Sequence, residues 1–205
     1  MKTLKIGDLL AKVPIVQGGM GVGISLSGLA SAVANAGGVG VISSAGLGLI
    51  YNHLSKNLSE ASILGLKEEL RKAREKTRGI VGVNIMVALT NFADLVKTAI
   101  AEKADIIFAG AGLPLNLPSF LKSDSTTKLA PIVSSARALK AICRRWIGEY
   151  GYVPTQWVGR VPRLVVTSAT HTSRLMTRIS HWRRSFPRLW LRHVSWSSST
   201  ASISL

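Results

Sequence analysis

One stretch of the chain, residues 14–46, limits the possible folds more than any other, and it reads PIVQGGMGVGISLSGLASAVANAGGVGVISSAG. Its first four residues, Pro14–Gln17, form a short apolar run that two glycines interrupt, as is typical of a buried parallel strand. The N–H groups of a glycine turn can approach a phosphate or a flat ring closely, and α/β folds bind ligands at the carboxyl ends of their strands. The turn after Gln17 is therefore a candidate ligand site.

The rest of this stretch predicts a helix and a second strand. Ser25 or Ser27 is expected to cap the helix, and Gly37-Gly38 to end it in a left-handed turn. Val39–Ser43 is again apolar and predicts a strand. Strand, helix and strand within about thirty residues make one β-α-β unit, the building block of an α/β fold.

Strands and helices continue to alternate as far as residue 149. The predicted elements are a helix at 58–78, a strand at 80–86, a helix at 92–103 capped by Asn91, a strand at 105–108, a short helix at 119–122, a strand at 129–135 and a helix at 135–149. About five β-α units at this spacing predict an incomplete (β/α)₈ TIM-type barrel, which needs about 250 residues when complete. A doubly wound parallel sheet is the alternative.

The net charge of +16 is unevenly distributed. All ten acidic residues precede Tyr150, whereas the segment after Pro154 contains eight arginines and no Asp, Glu, Lys or Asn. A basic chain would ordinarily suggest a nucleic-acid partner, but a tail without lysine is not typical of a nucleic-acid arm. We therefore predict no nucleic-acid partner, with salt-dependent binding of RNA or DNA through the tail as the alternative.

The codons of the tail favour a different origin for its composition. Read one base out of register, the codons for Gly159 to Thr170 permit an ordered series that contains Glu-Gly-Pro and then Ala-Gly-Gly-His. This series falls where the sixth strand of a barrel is due. We therefore predict that the reading frame shifts just after Tyr152 and that residues 154–205 form an irregular, disordered basic tail rich in Arg, Ser and Trp.

The single cysteine, Cys143, excludes an internal disulfide and suits a reducing cytosol, so we expect a cytoplasmic protein. Residues 13–55 carry no charged side chain, but glycines, serines and amide side chains such as Gln17 and Asn35 interrupt them. This segment is therefore predicted to be buried in the fold and not to span a membrane.

The motifs PIVQGGMGVGIS, LASAVANAGGVGVIS, GVNIM and APIVSSARA closely resemble the nitronate monooxygenases, also called 2-nitropropane dioxygenases. The flavin-dependent enoyl-ACP reductases are close relatives of that family. The resemblance covers residues 1–153 and implies a partial TIM barrel that binds FMN non-covalently. It implies that Gly19, Met20 and Gly21 lie against the flavin through backbone groups, that Asn84 hydrogen-bonds the flavin, and that Ser134 lies nearby.

The resemblance also implies a reaction, in which an alkyl nitronate and O₂ give a carbonyl compound and nitrite. The family's catalytic histidine belongs to an Ala-Gly-Gly-His motif that this reading frame lacks, so no catalytic residue and no metal ligand is predicted, and the activity is expected to be impaired. An FMN- and NAD(P)H-dependent enoyl-ACP reductase and an inactive fragment are the alternatives.

Each candidate residue also has a purely structural interpretation. Gly19 and Gly21 could serve only the turn, and Asn84 could hydrogen-bond neighbouring backbone groups. Ser134 and Ser135 could cap the helix that follows. Three other side chains with reactive chemistry are predicted to have no catalytic role, namely His53, His171 and Cys143.

Overall fold

The computed structural model describes residues 3–154 and 156–159, together with the backbone of residues 195–196 and 203–204. Five parallel strands form its main sheet, which is curled like half of a barrel: β3 (Val39–Ser43), β4 (Ile80–Met86), β5 (Ile106–Gly110), β6 (Lys128–Val133) and β7 (Val158–Gly159). The strands lie in sequence order. A doubly wound sheet reverses its strand order at a switch point, so this order confirms the barrel-type prediction.

Apolar side chains alternate between the two faces of the sheet. On the outer face, side chains such as Ile42, Val83 and Ile107 join the main core under the helices. On the inner face, side chains such as Val41 and Phe108 form a second, smaller cluster. Strands buried on both faces read as continuous apolar runs, and this is why the sequence located them well.

An antiparallel hairpin precedes the sheet and was not predicted. It consists of β1 (Leu4–Ile6) and β2 (Leu9–Ala11), and its apolar side chains pack into the inner cluster. Asp8 in its turn forms an ion pair of 2.6 Å with Lys128 at the start of β6. The hairpin therefore covers the inner cluster at the amino ends of the strands.

The helices lie close to their predicted positions. They are α1 (Ser27–Asn35), α2 (Leu47–Ile50), α3 (Leu58–Lys76), α4 (Phe92–Ala101) and α5 (Ala136–Tyr150), with a 3-10 helix at Leu117–Phe120. The short helix α2 was not predicted. Asn91 precedes α4 as expected, but its side chain caps no N–H group of that helix. Gly37, with a φ of 89°, ends α1 in the predicted left-handed turn.

The prediction that Ser25 or Ser27 caps α1 is wrong, because a glutamate from another helix takes that role. Glu69 of α3 is buried, and its Oε2 accepts a hydrogen bond of 2.5 Å from the N–H of Ser27. Its Oε1 accepts a hydrogen bond from the Tyr51 hydroxyl. A carboxylate is well placed at the positive end of a helix dipole, so Glu69 stabilises the start of α1.

Part of the segment assigned to the tail continues the sheet. Val158 and Gly159 of β7 pair in parallel with Ile132 and Val133 of β6. Two further short strands, β8 (Ser195–Trp196) and β9 (Ile203–Ser204), pair antiparallel with each other. His171 and most of the predicted tail lie outside the described residues.

Candidate functional site

The first predicted strand, Pro14–Gln17, is present as a single parallel bridge between Val16 and Val39 and not as a regular strand. Beyond this bridge, the side chain of Gln17 makes the hydrogen bonds to β3. Its Nε2 donates to the carbonyl of Val41 at 3.0 Å, and its Oε1 accepts from the N–H of Val41 at 3.2 Å. The edge of β3 is therefore satisfied, and the main chain is free to turn away at Gly18.

The hydroxyl of Ser25 makes three hydrogen bonds across the glycine turn. The Oγ of Ser25 donates to the carbonyl of Gly18 at 3.1 Å and accepts from the N–H of Met20 at 3.0 Å and from the Nε2 of Gln17 at 3.2 Å. Ser25 is only 1% exposed, so water does not compete for these bonds. Ser25 was predicted as a helix cap, and its contacts across the turn were missed.

The glycine turn rests directly on Asn84. A Cβ atom built on Gly19 would lie 2.4 Å from the Cβ of Asn84, and one built on Gly21 would lie 2.9 Å from the carbonyl oxygen of Ala45. The N–H groups of Gly19 and Gly21 donate no hydrogen bond to any described residue. These positions thus require glycine for close approach and leave two backbone donors available to a ligand.

Asn84 lies on the inner face of β4, near its carboxyl end. Its neighbours on the adjacent strands are Ser43 and Phe108. Its backbone carbonyl accepts two hydrogen bonds, both of 3.0 Å, from the N–H and the hydroxyl of Ser44. Its side-chain amide has no hydrogen bond to any described residue, so the purely structural interpretation of Asn84 is not supported.

Exposed apolar side chains surround this part of the sheet edge. Met20 in the glycine turn is 64% exposed, and Met86 at the end of β4 is 37% exposed. The backbone N–H of Val22 donates to Ala45 at 2.9 Å, which brings the glycine turn against the segment that follows β3. Leu49, on α2 after that segment, is 62% exposed. Such a surface suits a flat ring with apolar faces.

Ser134 is separated from the other candidates. It follows β6, whereas Asn84 lies on β4, so that β5 stands between them and the two strands are about 10 Å apart. Ser134 is exposed and its hydroxyl has no partner among the described residues. Ser135, in contrast, caps α5 by accepting a hydrogen bond of 3.2 Å from the N–H of Ala138. One of the two predicted capping serines therefore caps the helix.

The residues in contact around Asn84 fit the ring of a flavin. Such a ring has two apolar faces and an edge of hydrogen-bonding atoms. The exposed apolar rim matches the faces, while the free N–H groups of Gly19 and Gly21 and the free amide of Asn84 match the edge.

Other reactive side chains lie away from the site. Burial raises the pKa of the Cys143 thiol, on α5, to about 11, which disfavours the nucleophilic thiolate. His53 is exposed and its ring lies 5.7 Å from that of Tyr51. Among the residues that the structure describes, no group of His, Cys, Asp or Glu could hold a metal ion. In the same part of the chain, no helix has the length and apolar character needed to cross a bilayer.

A curled parallel sheet with a glycine turn beside β3 defines an α/β protein of the TIM-barrel type. The family model of nitronate monooxygenase matches residues 2–150. The chain therefore belongs to the nitronate monooxygenase family. Comparison with curated protein sequences gives no significant match.

Solved structures agree with this assignment. FabK from Thermotoga maritima is 27% identical, with a TM-score of 0.55 over 71% of this chain and 40% of FabK. A point mutant of that protein is 29% identical, with a TM-score of 0.57 over 73% and 42% of the two chains. Nitroalkane oxidase from Streptomyces ansochromogenes is 15% identical, with a TM-score of 0.55 over 75% and 46%, and shares the fold. The chain thus spans about two fifths of the length of the FabK structures it resembles.

Proposed function

We propose that this chain binds FMN on the turn formed by Gly19, Met20 and Gly21 and on the side chain of Asn84. The observation that carries the proposal is the contact between Gly19 and Asn84, since it joins free backbone donors to a free amide at the carboxyl edge of a barrel-type sheet. Buried or half-buried polar groups ordinarily have partners, so a cluster without them supports a ligand site.

Each residue has a separate task in the proposed site. Asn84 both donates and accepts hydrogen bonds and would fix the orientation of the ring through its polar edge. The N–H groups of Gly19 and Gly21 would face electron-rich atoms of the ring, while Met20 would cover an apolar face. Ser25 has no contact with the ligand in this scheme and keeps the turn in its binding shape.

We propose that the reaction of this lineage is the oxidation of an alkyl nitronate with O₂ to a carbonyl compound and nitrite. A bound flavin supplies the electron acceptor for this chemistry, and the protein supplies orientation and electrostatics. The family's Ala-Gly-Gly-His motif does not occur in the sequence. Without that histidine to hold or move a proton, we expect slow turnover even where FMN binds.

The test is a titration of the purified 205-residue chain with FMN, followed by flavin fluorescence. We expect saturable binding that Asn84→Ala weakens about tenfold or more, the equivalent of one or two hydrogen bonds. Asn35→Ala is the matched control, because Asn35 lies at the end of α1 and its amide donates to the carbonyl of Lys76 at 3.0 Å. Failure of the wild-type chain to bind FMN would overturn the proposed function.

Enoyl-ACP reduction is the second candidate activity. It is favoured by the higher identity to FabK, 27% and 29%, than to nitroalkane oxidase, 15%. Anaerobic addition of NAD(P)H separates the two activities. Rapid loss of the yellow flavin colour supports the reductase, whereas nitrite release and O₂ consumption with a nitronate and no NAD(P)H support the monooxygenase.

A further inference from the structure

Ser43, the last residue of β3, has a buried hydroxyl group without a partner. The residue is 2% exposed, and its Oγ accepts and donates no hydrogen bond among the described residues. Ser125 has the only other shielded oxygen of this kind in the described part of the chain, but Ser125 is half-buried and lies in the loop before β6. An unpaired buried hydroxyl is costly, so it points to a partner that binds there.

The position of Ser43 adds to this observation. Val39 and Val41 of the same strand belong to the inner cluster, so strand alternation puts Ser43 on the inner face as well. There it pairs in register with Asn84 on β4. Its own N–H donates to the carbonyl of Ser25 at 2.9 Å, which ties it to the glycine turn.

Ser44, the next residue, is a serine of equal burial whose hydroxyl has a partner within the protein. Ser44 is also 2% exposed, but its hydroxyl donates to the carbonyl of Asn84 at 3.0 Å. Two adjacent serines with equal burial thus differ in one respect, because one is paired within the protein and the other is not. Burial alone therefore does not account for the unpaired Ser43.

We propose that the hydroxyl of Ser43 is a further ligand-binding group and hydrogen-bonds the polar edge of the bound flavin ring beside Asn84. This inference rests on the proposed FMN site. With Ser43 included, the proposed site has two polar side chains on neighbouring strands, Ser43 on β3 and Asn84 on β4.

Ser43 is 2% exposed and its N–H donates to the carbonyl of Ser25, so the proposed contact requires the segment that follows the glycine turn to shift locally when the ring binds.

The experiment compares wild type, Ser43→Ala and Ser31→Ala as full-length chains. Ser31 is the matched control, because it is 4% exposed and its hydroxyl donates to the carbonyl of Gly28 at 3.1 Å within α1, on the outer side of the sheet. Three quantities are measured: the Kd for FMN, the visible absorption spectrum of the bound flavin, and the Tm of the chain without FMN.

We expect Ser43→Ala to raise the Kd about tenfold and to shift the flavin absorption bands, with a ligand-free Tm that is unchanged or higher, because the variant removes an unpaired polar group. Ser31→Ala is expected to change the Kd less than twofold. A Kd and spectrum for Ser43→Ala equal to those of wild type would overturn this inference and leave the proposed function standing. A lower ligand-free Tm with an unchanged Kd would also overturn it, by showing a structural role. Absence of FMN binding by wild type would overturn both.

Discussion

Alanine in place of Gly19 would put its Cβ 2.4 Å from the Cβ of Asn84 and 2.9 Å from its Cγ. Carbon atoms in ordinary contact lie about 3.5–4.0 Å apart, so the turn and β4 would have to separate by about 1 Å. The φ of Gly19 is not positive, and its backbone therefore accepts alanine without strain. Overpacking costs about 1–3 kcal/mol, and we expect the lower half of this range because the turn lies at the surface and can shift.

The same displacement should affect the ligand more than the fold. A misplacement of about 1 Å at a binding constellation is large compared with the tolerance of about 0.5 Å that such sites allow. We expect Gly19→Ala to weaken FMN binding at least tenfold in a fluorescence titration, and to lower the Tm by a few degrees in thermal unfolding without FMN.

Gly18→Ala is the matched control for this variant. It changes the neighbouring glycine of the same turn, which also has no positive φ, and its added Cβ meets no atom within 4 Å. We expect its Tm and its affinity for FMN to stay close to those of wild type. Equal affinities for the two alanine variants would refute the reasoning that places the ligand against the contact between Gly19 and Asn84.

Three further predictions concern the fold. Burial alone would raise the pKa of Glu69, but hydrogen bonds from the Tyr51 hydroxyl and the N–H of Ser27 outweigh it and hold the pKa below its ordinary 4.5. A depressed pKa gives stability that is lost on protonation. Glu69→Gln should therefore lower the Tm at pH 7, and thermal unfolding across pH should show the difference from wild type closing as the pH falls below 4.5. With a pKa raised from 9.0 to about 11, Cys143 should be alkylated by iodoacetamide at pH 8 about 100-fold more slowly in the native chain than in urea; equal rates would contradict its burial. Gly40→Ala puts a Cβ 1.9 Å from the carbonyl oxygen of Ala30 and should cost more than about 3 kcal/mol in urea unfolding, whereas Gly28→Ala, with no atom within 4 Å, should be neutral or stabilising.

The strands of the sheet could be predicted because their signal is local. Val39–Ser43 and Ile80–Met86 are strands over the predicted residues, and the predicted strands at 105–108 and 129–135 differ from β5 and β6 by one or two residues at each end. The short strand β7, in contrast, lies in the segment predicted to be a tail. A run of β-branched residues between a helix that ends and a glycine-containing loop carries this information within about ten positions. The order of the strands then follows from right-handed crossovers between neighbours.

The contacts that shape the site could not be predicted, because they join distant residues. Glu69 caps a helix that begins 42 positions earlier, and it looks in the sequence like one more charge on α3. Gln17 reads as the end of a strand, yet its side chain replaces the strand's backbone on Val41. The hairpin β1–β2 is too short and mixed in polarity to have a periodic signal. The partners of these side chains are distant in the sequence and come close only in the folded structure.

The short strand β7 makes the proposed frameshift testable in the protein. Val158 and Gly159 already occupy the place beside β6 where the sixth strand of a barrel is due. We propose that the shifted frame, which permits Ala-Gly-Gly-His in the codons for Gly159 to Thr170, encodes the sixth strand of the family's barrel in place of these residues. Sequencing the nucleotides around the codons for Val153 to Gln156 decides between the frames. A chain that continues in the shifted frame should bind FMN more tightly than the 205-residue chain, because the family histidine would follow a strand of the same sheet as Asn84. Equal FMN affinity and equal nitrite release in the two chains would refute the role given to the segment that the shifted frame encodes.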